Sequence, residues 1–536
     1  MDSRVESSVV ITERQVNSAN SQLSMDRIAD VLASVRRKGV RLWSENGRLH
    51  YKASKGALTR EEIDRLRVSR GQIVALLEAA TGAEGAEPRL EPCPRLNCAP
   101  LAFSQLARWN LHRLNERRPM RSIASATRMR GRLNVAALRA SVVETVHRHD
   151  ALRTRIVVLD GVPVQVISES DNCELKVDDL TELSESFREI EVQKFIEQLI
   201  LEAVDVAVGP LLGIRLLRLR DDEHVLIITM EHMISDMFSM NIFCRDLFTA
   251  YMQTLKGCVL SLPTIPVQFA GYAVWQRNAQ RSWIEKHGAY WSEHLEGCQR
   301  LRFPEGQSPQ TATRLGWGTV RLQIGRSMKA ELREWCRLRR TTLVMSVFTA
   351  YVGLVLRWCN ASDTVIQYQS DGRVSPKIEN TIGFFASVLY LRIQLLEDDC
   401  FVDLMNRVVE EYCQAYGHAD FSYMAAQMPQ PEFTRNSVFN WIPQGSKIDF
   451  SELDGSEHAI TCCPVPFSHP MAINIELDHE PSIALLDTDD EIVGRMYFPL
   501  DRFSIDTMER FARNFLVCIE ALLRKPEERV NDILLL

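Results

Sequence analysis

His232 and Asp236 are the residues best placed to do chemistry, in the stretch Val225 to Ser239 that reads Val-Leu-Ile-Ile-Thr-Met-Glu-His-Met-Ile-Ser-Asp-Met-Phe-Ser. An imidazole titrates near neutrality, so it can take a proton from an attacking amine or alcohol if it is held rigidly beside a cavity. The apolar, β-branched run ahead of it predicts a buried strand that delivers the histidine at its end, with strand character breaking by Asp236. A carboxylate just past a buried strand needs a partner and an arginine would serve, so Asp236 is read as a brace for the loop rather than a proton relay. The HxxxD spacing alone is unspecific in a chain of 536 residues, and a hydrogen-bonded histidine at a strand end leaves the same trace.

Competing chemistries leave no signature. There is no GxSxG elbow, no P-loop or paired-glycine nucleotide motif and no HExxH spacing. The 13 cysteines include no CxxC pair, and Cys93 and Cys98, the nearest to one, fall in a Pro-rich linker; the pattern fits free thiols in a reducing cytosol and no metal site. A net charge of -7 without a basic block argues against nucleic acid. The polar N-terminus is no signal peptide. Thr342 to Leu356, the longest apolar run, is shorter than the ~20 residues a bilayer needs and reads as a buried helix, so no membrane is expected.

The elements around His232 follow in order. Residues 1–24, polar and Ser/Asn-rich, are expected to be a disordered leader. A helix from Met25 ends at Arg36-Arg37-Lys38-Gly39. Strands over 40–43 and 49–52 join across Glu45-Asn46-Gly47, a hairpin signal, and helices follow after the Thr59 cap and over 71–80. This helix-hairpin-helix unit, 25–80, is too small for an enzyme site, and its hairpin edge is open to a further strand or an extended peptide; a stabilising cap on the larger domain is the other reading. Residues 81–98 read as a linker rich in Gly, Ala, Pro and acid. The remainder alternates strand-like and helix-like stretches, which implies α/β layers.

The first unit resembles TubC-type N-terminal docking domains of hybrid polyketide/nonribosomal-peptide assembly lines, on Lys38-Gly-Val-Arg-Leu-Trp43, Arg48-Leu-His-Tyr-Lys-Ala53 and Gly56-Ala-Leu-Thr59. The resemblance implies that the hairpin captures a short C-terminal segment of an upstream acyl or peptidyl carrier protein. Arg41, Arg48, Lys52 and Lys55 suit an acidic tail, and Trp43 and Tyr51 can anchor it.

The rest of the chain resembles a condensation domain of nonribosomal peptide synthetases. Six stretches carry this in order: Pro100 to Trp109, Arg148 to Thr154, Gln268 to Arg277 with Tyr290-Trp291, Asp371-Gly372-Arg373, Ile382 to Phe385, and Arg435 to Phe439. The resemblance implies two chloramphenicol-acetyltransferase-like lobes in a V-shaped pseudo-dimer, an α/β fold, with lobes expected over 99–275 and 276–536. It further implies a monomer with no cofactor of its own, 4'-phosphopantetheine arriving on the partner carrier. His232 matches the second histidine of the family's HHxxxDG motif, where an acyl thioester meets a small-molecule or carrier-bound acceptor. Asp236 matches its structural aspartate, with Arg373 as the expected partner unless Arg373 is simply a surface residue of a turn.

Two residues depart from the motif. Glu231 replaces the first histidine and is expected to face away from His232 along a strand, serving only local hydrogen bonding. Met237 replaces the glycine, adding bulk that narrows a channel, selects an unusual acceptor or records lost activity. Bond formation, amide or ester, in a free-standing enzyme is the leading expectation. A catalytically silent recruitment platform is the alternative; a heterocyclisation domain is disfavoured by the histidine, and an epimerisation domain by the missing EGHGR-like segment.

Overall fold

The computed structural model describes residues 7–10, 41–45, 48–53, 58–68, 90–114, 122–169, 173–202, 204–298, 300–305, 317–373, 375–419, 436–443, 460–465 and 480–536. The chain divides into two compact units that interleave in sequence: Met1–Trp283 with Arg373–Phe385 and Lys447–Met471, and Ile284–Gly372 with Ala386–Ser446 and Ala472–Leu536. A contiguous division at 275/276 is thereby corrected. Segments far along the sequence complete the first unit, and local patterning carries no trace of such long-range exchange.

In the N-terminal part, β2 (Arg41–Glu45) and β3 (Arg48–Ala53) pair antiparallel, with Arg41 opposite Lys52, Leu42 opposite Tyr51 and Trp43 opposite His50. Ser7–Val10, expected within a disordered leader, instead forms β1, which pairs antiparallel with β3 from Ser7 opposite Ala53 to Val10 opposite His50. The correction has a local cause: Val9 and Val10 are β-branched, and the free edge of a two-stranded hairpin offers them a ladder. Helix α1 (Arg60–Val68) starts after Thr59, and its Leu66 is buried, as is Leu49 of β3. Lys55 and the helices expected before residue 40 and over 71–80 lie outside the described residues.

The second half of the expected linker is built into the first unit. Leu90 is buried, Lys377 donates to its carbonyl (2.8 Å) and pairs with Glu91 (2.7 Å), and Arg95 donates to the carbonyls of His147 and Arg148. Composition signals a linker but cannot signal such docking. Gly271 is required here, because a Cβ would collide with the Cys93 sulfur.

Beyond it come β4 (Cys98–Pro100), α2 (Phe103–Leu114), β5 (Ile123–Gly131), α3 (Val135–Arg148), β6 (Thr154–Leu159), β7 (Val162–Ile167), β8 (Leu175–Asp179), α4 (Glu185–Leu201), β9 (Leu212–Arg220), β10 (Glu223–Met230), α5 (Met237–Leu255) and α6 (Phe269–His294). β10 lies between β5 and β9 and is buried from His224 to Met230, which explains why its sequence is a continuous apolar run rather than an alternating one. On one sheet face Leu217, Leu219, Val225 and Ile227 pack against Val192, Ile196 and Ile200 of α4; α3 and α5 pack together, and α5 also meets β5. A late segment, β15 (Ile460–Pro464), extends this sheet beside β5.

The second unit is a six-stranded mixed sheet in the order β11 (Trp317–Ile324), β17 (Ile492–Pro499), β16 (Ser482–Asp487), β14 (Val438–Pro443), β12 (Asp363–Ser370), β13 (Ser387–Gln394), parallel at β14/β16 and β12/β14. The helices are α7 (Arg326–Arg339), α8 (Leu343–Trp358), α9 (Phe401–Tyr416) and α10 (Ile505–Arg524). Every residue of α8 from Met345 to Leu356 is buried, so the longest apolar run is a core helix capped by the Thr342 hydroxyl. Among the described residues no single helix is long and apolar enough to cross a membrane.

Candidate active site

β10 ends at Met230, and the chain turns through Glu231 to Asp236 before α5 begins at Met237. Asp236 is the N-cap of α5: its Oδ1 accepts from the Ser239 amide at 2.7 Å. Its Oδ2 accepts from Arg373 Nη1 at 2.9 Å and from the Phe385 amide at 3.0 Å. Arg373, whose guanidinium lies 4.5 Å over the Phe385 ring, also donates to Ser239 Oγ (3.1 Å) and the Thr381 carbonyl (3.2 Å). Burial alone would raise the Asp236 carboxyl, but Arg373 and the Ser239 donors hold it below the usual carboxylate range. The pair therefore fastens segment 373–385 to the start of α5, and Arg245 Nη1, 2.8 Å from Asn380 Oδ1, fastens it again. Gly383 lies where a Cβ would strike the Phe269 ring, which keeps this segment close.

His232 stands inside that clamp, only 8% exposed, its ring 4.5 Å from Phe384. Its Nδ1 lies 2.8 Å from the Ser235 carbonyl. A carbonyl only accepts, so Nδ1 carries the hydrogen and Nε2 keeps its lone pair. Burial, and then the charge of Arg108, push the imidazole pKa down to about 3, so the ring is neutral near pH 7. The arrangement suits a base with its proton-accepting nitrogen already vacant.

Glu231 does more than local hydrogen bonding, and that expectation is corrected. The residue lies past the end of β10, and its Oε1 accepts from Arg108 Nε (3.0 Å) and Nη2 (2.9 Å) on α2 as well as from the Met233 amide (3.3 Å). Both side chains are almost wholly buried, and a buried carboxylate without a cation is costly. Met237 is the first residue of α5 and is half-buried.

Three positioning residues on α2 were not singled out by the sequence reading. Ser104 Oγ donates to the Phe384 carbonyl (2.5 Å), Gln105 Nε2 to the Met233 carbonyl (2.8 Å), and Arg108 to Glu231. Positions i, i+1 and i+4 of one helix thus hold both sides of His232. Their only sequence signal is membership of the Pro100 to Trp109 stretch. Farther along α5, buried Asp246 accepts from Arg148, His149 and Arg245 at 2.7–3.0 Å, which ties the Arg148-His149 stretch to the same helix. No group of three or more His, Cys, Asp or Glu among the described residues is arranged to hold a metal ion.

Residues 96–536 match the family model described as Condensation domain, and residues 28–78 match that of the TubC N-terminal docking domain. A linear gramicidin synthase protein of Brevibacillus parabrevis is 27% identical over 470 residues, 87% of this chain but 6% of that protein, so the chain spans a small fraction of its relative. Among solved structures, the X-domain in its complex with OxyB from teicoplanin biosynthesis is 25% identical with a TM-score of 0.69, covering 85% of this chain and 99% of that one. The EpoB cyclization-docking bidomain from Sorangium cellulosum is 19% identical with a TM-score of 0.64, covering 94% of this chain and 99% of its own, a likeness of fold.

Proposed function

This chain belongs to the condensation-domain family of nonribosomal peptide synthetases, whose members are acyltransferases, and carries a TubC-type docking domain in front; from there we propose that it transfers an acyl group from a carrier-bound thioester to an amine or alcohol, in some pathways releasing the chain. The nucleophile's nitrogen or oxygen adds to the thioester carbonyl, the C–S bond breaks and the carrier's phosphopantetheine thiol leaves. His232 Nε2 accepts or orients the proton that the nucleophile loses and passes it to the departing sulfur, so that atoms and charge balance. The observation that carries this reading is the imidazole held with Nδ1–H on the Ser235 carbonyl and a free lone pair on Nε2. Asp236 and Arg373 act as structure, and the upstream carrier protein is captured at the β2–β3 hairpin through a short C-terminal segment.

A second reading has two observations behind it. Glu231 and Met237 depart from the family motif, and the solved X-domain complexed with OxyB is a structural relative, which favours a platform that recruits a partner without forming a bond. The experiment is intact-protein mass spectrometry of acyl-loaded carrier protein incubated with the chain or its His232→Ala variant and a panel of amines and alcohols. Loss of the acyl mass with formation of the condensed product is expected for the wild type, and ~10²–10⁴-fold slower for His232→Ala. No loss with either protein, the carrier still binding, decides for the platform.

A further inference from the structure

β1 occupies the edge that the hairpin of β2 and β3 would otherwise offer to an extended peptide. The strand order is β1-β3-β2, and Ser7–Val10 runs antiparallel along the outer edge of β3, from Ser7 opposite Ala53 to Val10 opposite His50. An incoming strand needs the same row of β3 backbone groups, and an edge pairs with one strand at a time. The two registers combine into rows across the sheet. Val9, Tyr51 and Leu42 form an apolar row on the face to which the buried Leu49 also belongs. Ser8, Lys52 and Arg41 form a row on the opposite face, two cations side by side and then a serine. Like charges directly opposite one another are unfavourable, and an acid at the position of the serine offsets them. β1 thus completes the backbone ladder and the apolar row, but Ser7–Val10 brings no carboxylate to the cationic row.

We propose that Ser7–Val10 is an autoinhibitory strand: it closes the β3 edge from within the chain, and an extended segment that places an acid opposite Lys52 displaces it. This rests on the β2–β3 hairpin being the docking element, but the self-contact is tested without the upstream protein. Residues 11–40 separate β1 from β2, and a tether of that length sets an effective concentration on the order of 1 mM. For the closed edge to outweigh the open one by about ten to one, the leader added in trans must bind with a Kd of about 0.1 mM or tighter. An uncharged strand of this kind shields the edge from chance pairing, and a matched acidic segment still opens it.

The test uses the full-length chain and a fluorescein-labelled synthetic peptide of residues 1–16. Alternate residues of an antiparallel ladder turn their N–H to the partner, so Ser8→Pro/Val9→Pro removes a ladder donor whichever of the two faces β3. Fluorescence anisotropy is expected to show the peptide binding this variant with a Kd of about 0.1 mM or tighter, and the wild type at least about tenfold more weakly. The Ser8→Glu form of the peptide is expected to bind the variant about two- to fivefold tighter, an advantage lost when Lys52→Gln is added. Placed in the chain itself, Ser8→Glu keeps the ladder and is expected to slow amide exchange between His50 and Ala53 about two- to fivefold, which decides the matter if the proline variant does not fold. Toward a synthetic peptide of the carrier protein's C-terminal segment the two chains diverge: the proline variant binds it about tenfold tighter than the wild type, and Ser8→Glu binds it about two- to fivefold more weakly. Equal binding of the leader peptide to wild type and proline variant, or none to either, overturns the proposal, as does unchanged exchange in Ser8→Glu. A mass by light scattering that doubles with concentration in the wild type and not in the proline variant also overturns it, because β1 then serves a second copy. Failure of the carrier peptide to bind any form, with the leader peptide behaving as stated, overturns the docking reading and leaves the self-contact standing.

Discussion

Asp236 shows how much one side chain can hold. Two carboxylate oxygens receive the Ser239 amide, the Phe385 amide and two nitrogens of Arg373, so loss of the carboxylate strands a buried guanidinium and opens the clamp around His232 at once. Breaking a buried pair by removing one member costs about 3–5 kcal/mol, whereas replacing both by apolar residues is far milder. Asp236→Ala is therefore expected to lower the melting temperature sharply and Asp236→Leu/Arg373→Met much less; a wild-type melting temperature in Asp236→Ala shows that the pair carries no such load. From the sequence, Asp236 and Arg373 were linked by a family resemblance and not by spacing, since 137 residues separate them. Arg108 was invisible as a partner for Glu231 for the same reason: a contact between a helix and a turn 123 residues apart leaves no periodicity to read. What the strand pattern did disclose was local, namely a buried apolar run ending in a histidine.

At the scale of elements, turn chemistry and capping were legible and edges were not. The Asn46-Gly47 turn predicts the β2–β3 hairpin and Thr59 predicts the start of α1, because both signals are written in adjacent residues. β1 was missed because its four residues stand in a polar leader and become a strand only when β3 offers an edge. Val9→Pro removes a backbone donor and fixes a dihedral, so it is expected to detach β1 and speed amide exchange at His50 to Ala53, leaving α8 and α10 protected as in the wild type. Unchanged exchange in β3 means the strand contributes nothing to the sheet. The other face of this element is its charge. Arg41 and Lys52 are cross-strand neighbours and Arg48 opens β3, so Arg48→Glu/Lys52→Glu is expected to weaken capture of an acidic upstream tail, with an affinity that no longer falls as salt is added. Calorimetry against the carrier protein's C-terminal segment checks this; equal affinity removes those residues from the docking surface.

For the whole molecule, the buried histidines make acid the condition to watch. His149 and His232 are almost completely enclosed, and burial above all lowers the pKa of both, only partly offset at His149 by Asp246. The folded chain thus refuses protons that the unfolded chain accepts near the ordinary histidine value of about 6.5. Above that pH both states are neutral at these positions and stability is flat; below it the unfolded state gains protons first, so stability falls as pH drops from 6.5 towards 5, by up to about 1.4 kcal/mol per pH unit for His232, with His149 adding a loss of the same sign. His224 and His418, also depressed chiefly by burial, push the same way. The lowered carboxyls of Asp236 and Asp246 have a dependence of the same sign but at lower pH, their stabilisation being fully present above the ordinary carboxylate range and lost only on further acidification, so they do not mask the histidines in this window. Denaturant unfolding at pH 5, 6 and 7 is expected to show this slope in the wild type and a slope shallower by one proton in His232→Asn, which cannot titrate there. Equal slopes in the two proteins mean that His232 takes up its proton in the folded state, and the neutral base on which the acyl-transfer reading depends does not persist into mild acid.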